Sequence, residues 1–406
     1  MAIVEQSSSI RRHLLDVCNR RAHTVSIRIG EEGDQMHDML PRDEAVQLID
    51  QNGAHTPDDA YPLPDGATLR EAYRRLVEGR RFNDQASALV RQGRLAVYPS
   101  SHGQEACQVA ASMVLDGEAD WLFPTYRDAV AIVGRGVSPA ETLVLLRGDW
   151  HSGYDVRAHR VAPQATPLAT QLLHAVGFAY AARRRGDDTV VLALCGDGAT
   201  SEGDFHEALN FAAVFHLPVV FFVQNNGFAI SVPLARQTAA PSLAHKAIGY
   251  GMPGQRVDGN DAAALLAVLG AAVARARAGE GPALIEAHTY RMQAHTNADD
   301  DTRYRERSEV QEWTQRDPLT RLRAHLVAAG QLDDDEEARI SAGAEALAAD
   351  LRTAMTTDTP ADPADLFRFV TAAPSPQREE QWALLRDEID RTAEVGATAM
   401  QDGASR

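Results

Sequence analysis

The sequence predicts an α/β protein, a parallel sheet with helices on both faces, preceded by an N-terminal arm and followed by C-terminal helices. Three observations carry this expectation. Residues 190–195, 218–223 and 282–289 are short runs rich in apolar and β-branched residues, the pattern of strands buried on both faces. Between the first two, Phe205, Ala208, Leu209, Ala212 and Ala213 recur at helical spacing, so strand, helix and strand alternate. The chain has 406 residues, 44% apolar and 24% charged, ordinary for a globular protein. That length suits one large domain with extensions, or two modest domains.

Taken in order, residues 1–67 form a loosely patterned arm ending in the turn-rich stretch from His55 to Gly66. A helical pattern starts at Thr68, with Leu69, Tyr73 and Leu76 on one side and Arg74, Arg75 and Glu78 between them. Residues 68–330 are expected to hold the α/β domain. Residues 331–406 read as a C-terminal helical extension, opening on the acidic run Asp333 to Glu337 and continuing through the Ala-rich stretch to Leu351. No internal repeat is present.

The net charge of −17 argues against nucleic acid or an anionic membrane as the main partner, because both call for a basic surface. No apolar run approaches the roughly 20 residues that cross a bilayer. Cys18, Cys107 and Cys195 are far apart and form no CxxC pair, which supports neither a disulfide framework nor a zinc site. A reducing cytoplasm fits them, and no apolar secretory segment follows Met1. Lys246 is the only lysine among 40 basic residues, a usage that suggests a GC-rich bacterial source.

The chemistry concentrates where the first buried strand ends. Gly196, Asp197 and Gly198 follow it directly, and the next strand runs into Asn225, Asn226, Gly227 and Phe228. Crossovers of this kind make the two strands parallel in nearly all proteins. Asp197 and Asn226 then lie just past two carboxyl ends, the edge where open α/β sheets bind ligands. A carboxylate and an amide oxygen are donors that Mg²⁺ accepts, with phosphate oxygens and water completing an octahedron. Gly198 allows close backbone approach, and the following helix offers free N–H groups. Alone, Gly-Asp-Gly is a plain turn and Asn-Asn is equally bland. Their joint placement at two strand ends, 26 residues apart, is not.

This pair resembles the thiamine-diphosphate-binding motif. The flanking residues, from Ala199 to Phe211 and from Gln224 to Ser231, are similar to the alpha subunits of pyruvate and branched-chain 2-oxo acid dehydrogenases, over roughly Leu69 to Leu322. The resemblance implies the thiamine-diphosphate-binding fold. It implies Mg²⁺ held by Asp197, Asn226 and the backbone carbonyl of Phe228. Gly196, Gly198 and Ala199 would approach the diphosphate through their backbone.

Other positions match the same family. Phe123 to Asp128 resembles the segment in which a Tyr–Arg pair holds the diphosphate, implying that role for Tyr126 and Arg127. A lone loop arginine is otherwise a solvated charge. Thr166 and the backbone of Leu168 match the stretch that meets the aminopyrimidine ring. In some relatives that stretch also binds K⁺, here near Thr170 and Gln171, although a plain helix start would read the same way. His295, in a polar loop after the third strand, matches a histidine beside the cofactor, able to bind phosphate when charged and to assist proton transfer. His151 aligns with a histidine facing the substrate. Ser101 to Ala106 also resembles the family and reads as a helix start near a subunit interface. Thr296 and Thr302 stand on the loop where mammalian relatives carry phosphorylated serines.

The implied reaction is decarboxylation of a 2-oxo acid, with transfer of the acyl group to a lipoyl group on the dihydrolipoyl acyltransferase. The glutamate that activates the cofactor's pyrimidine ring belongs to a second module absent from this pattern. A beta subunit is expected to supply it, in an assembly of two alpha and two beta chains. An acetoin dehydrogenase alpha subunit shares the motif pair. A non-catalytic scaffold would keep the fold without the activity. No GxGxxG follows the early strands, so nicotinamide binding has no support.

Overall fold

The computed structural model describes residues 39–148, 153–357, 362–368 and 370–404. Its strands are β1 (Trp121–Phe123), β2 (Val191–Gly196), β3 (Val219–Asn225), β4 (Phe228–Ala229), β5 (Val232–Pro233), β6 (Gly254–Asp258) and β7 (Ala283–His288). Five of them form a parallel sheet in the order β1-β2-β3-β7-β6, and β4 pairs with β5 as a small antiparallel hairpin. The three expected strands are β2, β3 and β7, with ends within two residues of the expectation. β1 and β6 were not expected: one has three residues, and the other reads Gly-Gln-Arg-Val-Asp. Neither is long or apolar enough to stand out, and pairing with a neighbour decides both.

The helices that bear on the core and the site are α1 (Gly66–Arg91), α2 (Glu105–Met113), α3 (Thr170–Arg185), α4 (Gly203–Val214), α5 (Ala262–Arg277) and α6 (Asp334–Thr356). Alternation along the strands separates two cores. Val191, Ala193, Cys195, Val219, Phe221 and Val223 face Leu172, Val176, Phe205 and Leu209 of α3 and α4. Leu192, Leu194, Val220 and Phe222 belong to the opposite core, with Val109 of α2 and Leu265 and Leu269 of α5. Phe221 and Phe222 are fully buried, which stabilises the fold by about 2–3 kcal/mol each.

Residues 46–56, within the sequence's arm, pack on the sheet edge. Val46 N donates to Arg256 O (3.0 Å), and Asp258 N donates to Val46 O (3.0 Å). The N–H groups of Leu48 and Ile49 both donate to Asp261 Oδ2 at 2.7 Å. Asp261 Oδ1 accepts from Ala263 N and Ala264 N and so caps α5. Arg321 closes the cluster, donating from Nε to the Ile49 carbonyl (2.7 Å) and from Nη1 to Asp258 (2.9 Å).

The acidic run at 333–337 opens α6. The Asp333 side chain accepts from Glu336 N (2.8 Å), and four acidic residues occupy the first turn, where the helix dipole favours them. Ile340, Ala344, Ala348, Leu351 and Met355 are buried at three-to-four-residue spacing, on the face that packs against α1. Among the described residues no helix is long and apolar enough to cross a membrane.

Candidate active site

The register of β2 and β3 pairs Gly196 with Gln224, so Asp197 and Asn226 emerge side by side beyond the strand ends. A short 3₁₀ turn over Asp197–Ser201 intervenes before α4 begins at Gly203. The N–H groups nearest the motif therefore belong to that turn and not to the helix, which corrects the sequence expectation. A Cβ on Gly198 would lie 2.7 Å from the Ala229 methyl on the β4–β5 hairpin, so the glycine lets turn and hairpin meet.

Around these groups lies a cavity of about 400 Å³. Its walls include Tyr126, Arg127, Thr166, Leu168, Gly196, Asp197, Gly198, Ala199, Asn226, Phe228 and His295, which the sequence had singled out on five separate segments. Gln171 also lines it, while Thr170 stands one residue outside at the start of α3. Thr166 and Leu168 are exposed at the mouth. His151 lies outside the described residues.

Asp197 is 1% exposed, and burial pushes its carboxyl above the usual range, opposed by a hydrogen bond from Gln237 Nε2 at 2.7 Å. Gln237 Oε1 is buried without a partner. Asn226 Oδ1 accepts only a long 3.3 Å bond from Phe228 N. The Phe228 carbonyl receives Arg291 Nη1 at 3.5 Å, too far to satisfy it. Asp197, Asn226 and Phe228 line one cavity, and the Asn226 and Phe228 oxygens have bonding capacity to spare. Among the described residues no cluster of three His, Cys, Asp or Glu side chains could hold a metal unaided. A single carboxylate with amide and carbonyl oxygens fits Mg²⁺ when phosphate oxygens share the coordination. The donor set therefore fits a metal–diphosphate pair and not a free-standing metal site.

Arg127 is buried and held in place. Its Nη1 donates to Ser100 O (2.9 Å), and its Nη2 donates to His295 Nδ1 (2.9 Å) and His295 O (3.1 Å). A guanidinium only donates, so Nδ1 of His295 is the acceptor and the ring proton resides on Nε2. Burial, with Arg127 and Arg291 nearby, lowers the His295 pKa from 6.5 to about 4. His295 is therefore neutral at physiological pH in the free chain, and meets a ligand as an Nε2–H donor. The sequence reading of a charged phosphate-binding imidazole does not hold for the unliganded form.

A titration checks this. The folded pKa lies below that of the unfolded chain. As pH falls from 6.5 towards 4, the unfolded chain takes up a proton that the folded form refuses. The contribution of His295 to stability is thus neutral above 6.5 and unfavourable below it. Histidine NMR of the cofactor-free protein is expected to show His295 as the Nε2–H tautomer, with no titration between pH 8 and pH 5.5. Arg127→Met should move its pKa upward. Titration near 6.5 in the parent chain would contradict the assignment.

Sequence reasoning missed four participants. Gln104, Asp128 and Gln224 line the cavity, and Gln237 holds Asp197. Gln104, Asp128 and Gln224 each had a signal, a place in one of the family-like stretches Ser101 to Ala106, Phe123 to Asp128 and Gln224 to Ser231, and only Gln237 had none. The first of these stretches does start a helix, at Glu105, but Gln104 itself reaches the Asn226 side chain.

Comparison with known proteins agrees with this geometry. Residues 73–361 match the model of the family described as dehydrogenase E1 component. The 3-methyl-2-oxobutanoate dehydrogenase subunit alpha of Mycobacterium tuberculosis is 49% identical over 351 residues, covering 86% of this chain and 95% of that protein. The pyruvate dehydrogenase E1 component subunit alpha of Staphylococcus aureus is 40% identical over 313 residues, covering 77% of this chain and 84% of the relative. The chain belongs to the dehydrogenase E1 component family, whose members depend on thiamine diphosphate. Within it, the chain is an alpha subunit of a decarboxylating 2-oxo acid dehydrogenase, an oxidoreductase.

Proposed function

We propose that this chain forms the diphosphate-binding half of an active site that it shares with a beta subunit, and that the substrate is a branched-chain 2-oxo acid of the 3-methyl-2-oxobutanoate type. The observation that carries the reading is the convergence of Asp197, Asn226, the Phe228 carbonyl, Arg127 and His295 on one cavity. Asp197, Asn226 and Phe228 O would hold Mg²⁺. Arg127 would donate to diphosphate oxygens, with Tyr126 beside it, and the backbone at Gly196, Gly198 and Ala199 would lie along the diphosphate. Thr166 and Leu168 would border the pyrimidine, with K⁺ bracing that stretch near Thr170 and Gln171. When bound, thiamine diphosphate supplies a nucleophilic carbon and an electron sink for decarboxylation. His295, neutral and protonated on Nε2, would donate a hydrogen bond to the diphosphate or to the reacting oxygen.

Leu168 and Ile230 at the rim are 44% and 56% exposed, an apolar border that a second chain would cover. That supports a beta subunit, in a two-alpha, two-beta assembly, which would bring the glutamate that activates the pyrimidine ring. The acyl acceptor is then the lipoyl domain of a dihydrolipoyl acyltransferase, in a bacterial cytoplasm. The higher identity to the 3-methyl-2-oxobutanoate enzyme favours branched substrates over pyruvate.

The test is substrate-dependent reduction of an artificial acceptor by this chain co-expressed with its beta partner. 3-Methyl-2-oxobutanoate is expected to give the highest kcat/KM, above pyruvate and acetoin, and removal of Mg²⁺ or thiamine diphosphate should abolish it. Preference for pyruvate or acetoin would overturn the substrate assignment. No turnover of any of them by a folded complex would leave a scaffold.

A further inference from the structure

We infer that Gln104 is a positioning residue for the proposed cation. It fixes which end of the Asn226 amide faces the cavity, from within a buried line of side chains that also holds the Tyr126–Arg127 loop. This inference rests on the proposed metal–diphosphate site and deepens it.

The line runs along the cavity wall. Asn226 Nδ2 donates to Gln104 Oε1 (2.9 Å), Gln104 Nε2 donates to Gln224 Oε1 (3.1 Å), and Gln224 Nε2 donates to Asp128 Oδ1 (2.7 Å). Asp128 Oδ2 accepts from both N and Oγ1 of Thr125, each at 2.7 Å. Asn226, Gln104, Gln224 and Asp128 are all buried, between 0% and 6% exposed, so leaving any of these bonds unmade would be costly.

The terminus gives the line its direction. An amide side chain can turn over and exchange its oxygen for its nitrogen, so its orientation is decided by its partners. Burial pushes the Asp128 carboxyl upward, but the bonds from Thr125 Oγ1, Thr125 N and Gln224 Nε2, with Arg127 nearby, favour its charged form, and a carboxylate only accepts. Gln224 must therefore present Nε2 to Asp128 and Oε1 to Gln104. Gln104 must in turn donate with Nε2 and present Oε1 to Asn226. Asn226 is left to donate with Nδ2, which turns Oδ1 towards the cavity. Reversed, the line would aim an NH₂ group at a cation.

Gln104 is itself fixed by its surroundings. Gly103 has φ +95°, and a Cβ there would collide with the Tyr290 carbonyl, so the backbone after β7 packs directly on it. Gly103 N donates to Glu105 Oε2 (2.7 Å), and Gly103 O accepts from Thr289 Oγ1 (2.6 Å). Glu105 is held in turn by Arg80 Nε at 2.5 Å. A long, flexible glutamine thus reaches Asn226 from a rigid base.

The test is a Mn²⁺ titration, followed by electron paramagnetic resonance of the free ion, on the alpha–beta complex with thiamine diphosphate present. Gln104→Met, similar in shape but unable to bond, is expected to weaken Mn²⁺ binding by about tenfold or more, as loss of groups that orient metal ligands does. Asp128→Asn changes almost no volume but removes the acceptor that sets the direction. It is expected to weaken Mn²⁺ by roughly 3- to 10-fold, and it decides the matter if Gln104→Met does not fold. A purely structural role would lower the melting temperature of the metal-free complex and leave the Mn²⁺ constant unmoved. Constants within twofold of the parent in every variant that folds would overturn the inference alone. Failure of the parent complex to bind Mn²⁺ in a thiamine-diphosphate-dependent way would instead overturn the functional reading beneath it.

Discussion

Asp197→Asn is expected to abolish the response of the protein to Mg²⁺ and thiamine diphosphate while leaving the ligand-free fold intact. The replacement keeps the shape and can still accept from Gln237 Nε2, which now bonds the carboxylate at 2.7 Å. What it removes is the one anionic donor in the proposed ligand set. Loss of groups that merely orient metal ligands lowers affinity by about 10- to 100-fold, so loss of a charged ligand should exceed ~100-fold. With ligand at one hundred times its Kd, the parent complex gains about 2.7 kcal/mol of stability, read as a rise in melting temperature. The variant should gain nothing measurable at the same concentrations. Without ligand the variant should be at least as stable, because the carboxylate it loses is 1% exposed and disfavoured by burial. An undiminished thermal shift in Asp197→Asn would remove Asp197 from the site.

The largest effect on stability is expected from Asp261→Ala, far from the cavity. Asp261 is 1% exposed and accepts four backbone N–H bonds, two from Leu48 and Ile49 and two from the first turn of α5. Loss of the helix cap costs about 1 kcal/mol. Each buried N–H left without a partner costs ~1–3 kcal/mol. With two such N–H groups the sum is about 3–7 kcal/mol, reduced by relief of a buried carboxyl that burial already pushes upward. Arg321 keeps Asp258 and the Ile49 carbonyl as partners, so no charge is stranded. Urea unfolding should show a lower midpoint with an unchanged slope. Hydrogen exchange should accelerate at the Leu48 and Ile49 amides in particular. A loss below about 1 kcal/mol, with both amides still protected, would mean that the 46–56 segment is anchored by other contacts.

The sequence by itself determined the central strands and the two residues at their ends. β2, β3 and β7 are buried along almost their whole length, so apart from Glu286 and the polar residues at the strand ends they are apolar or glycine, and the run is visible without a partner. Asp197 and Asn226 are legible with them because a strand's end dictates what comes next along the chain. The tertiary structure decided what depends on separation. β1 and β6 become strands only by pairing with neighbours, and the 46–56 segment joins the sheet through a residue more than 200 positions away. The Arg127–His295 contact, which fixes the imidazole's tautomer and adds to burial in keeping it neutral, links positions 168 apart. The direction of the Asn226 amide is set through Gln104, 122 residues earlier, by a carboxylate at 128. Periodicity reports only the environment that a residue shares with its chain neighbours. Which end of an amide faces a ligand is set by hydrogen-bond partners that meet only after folding.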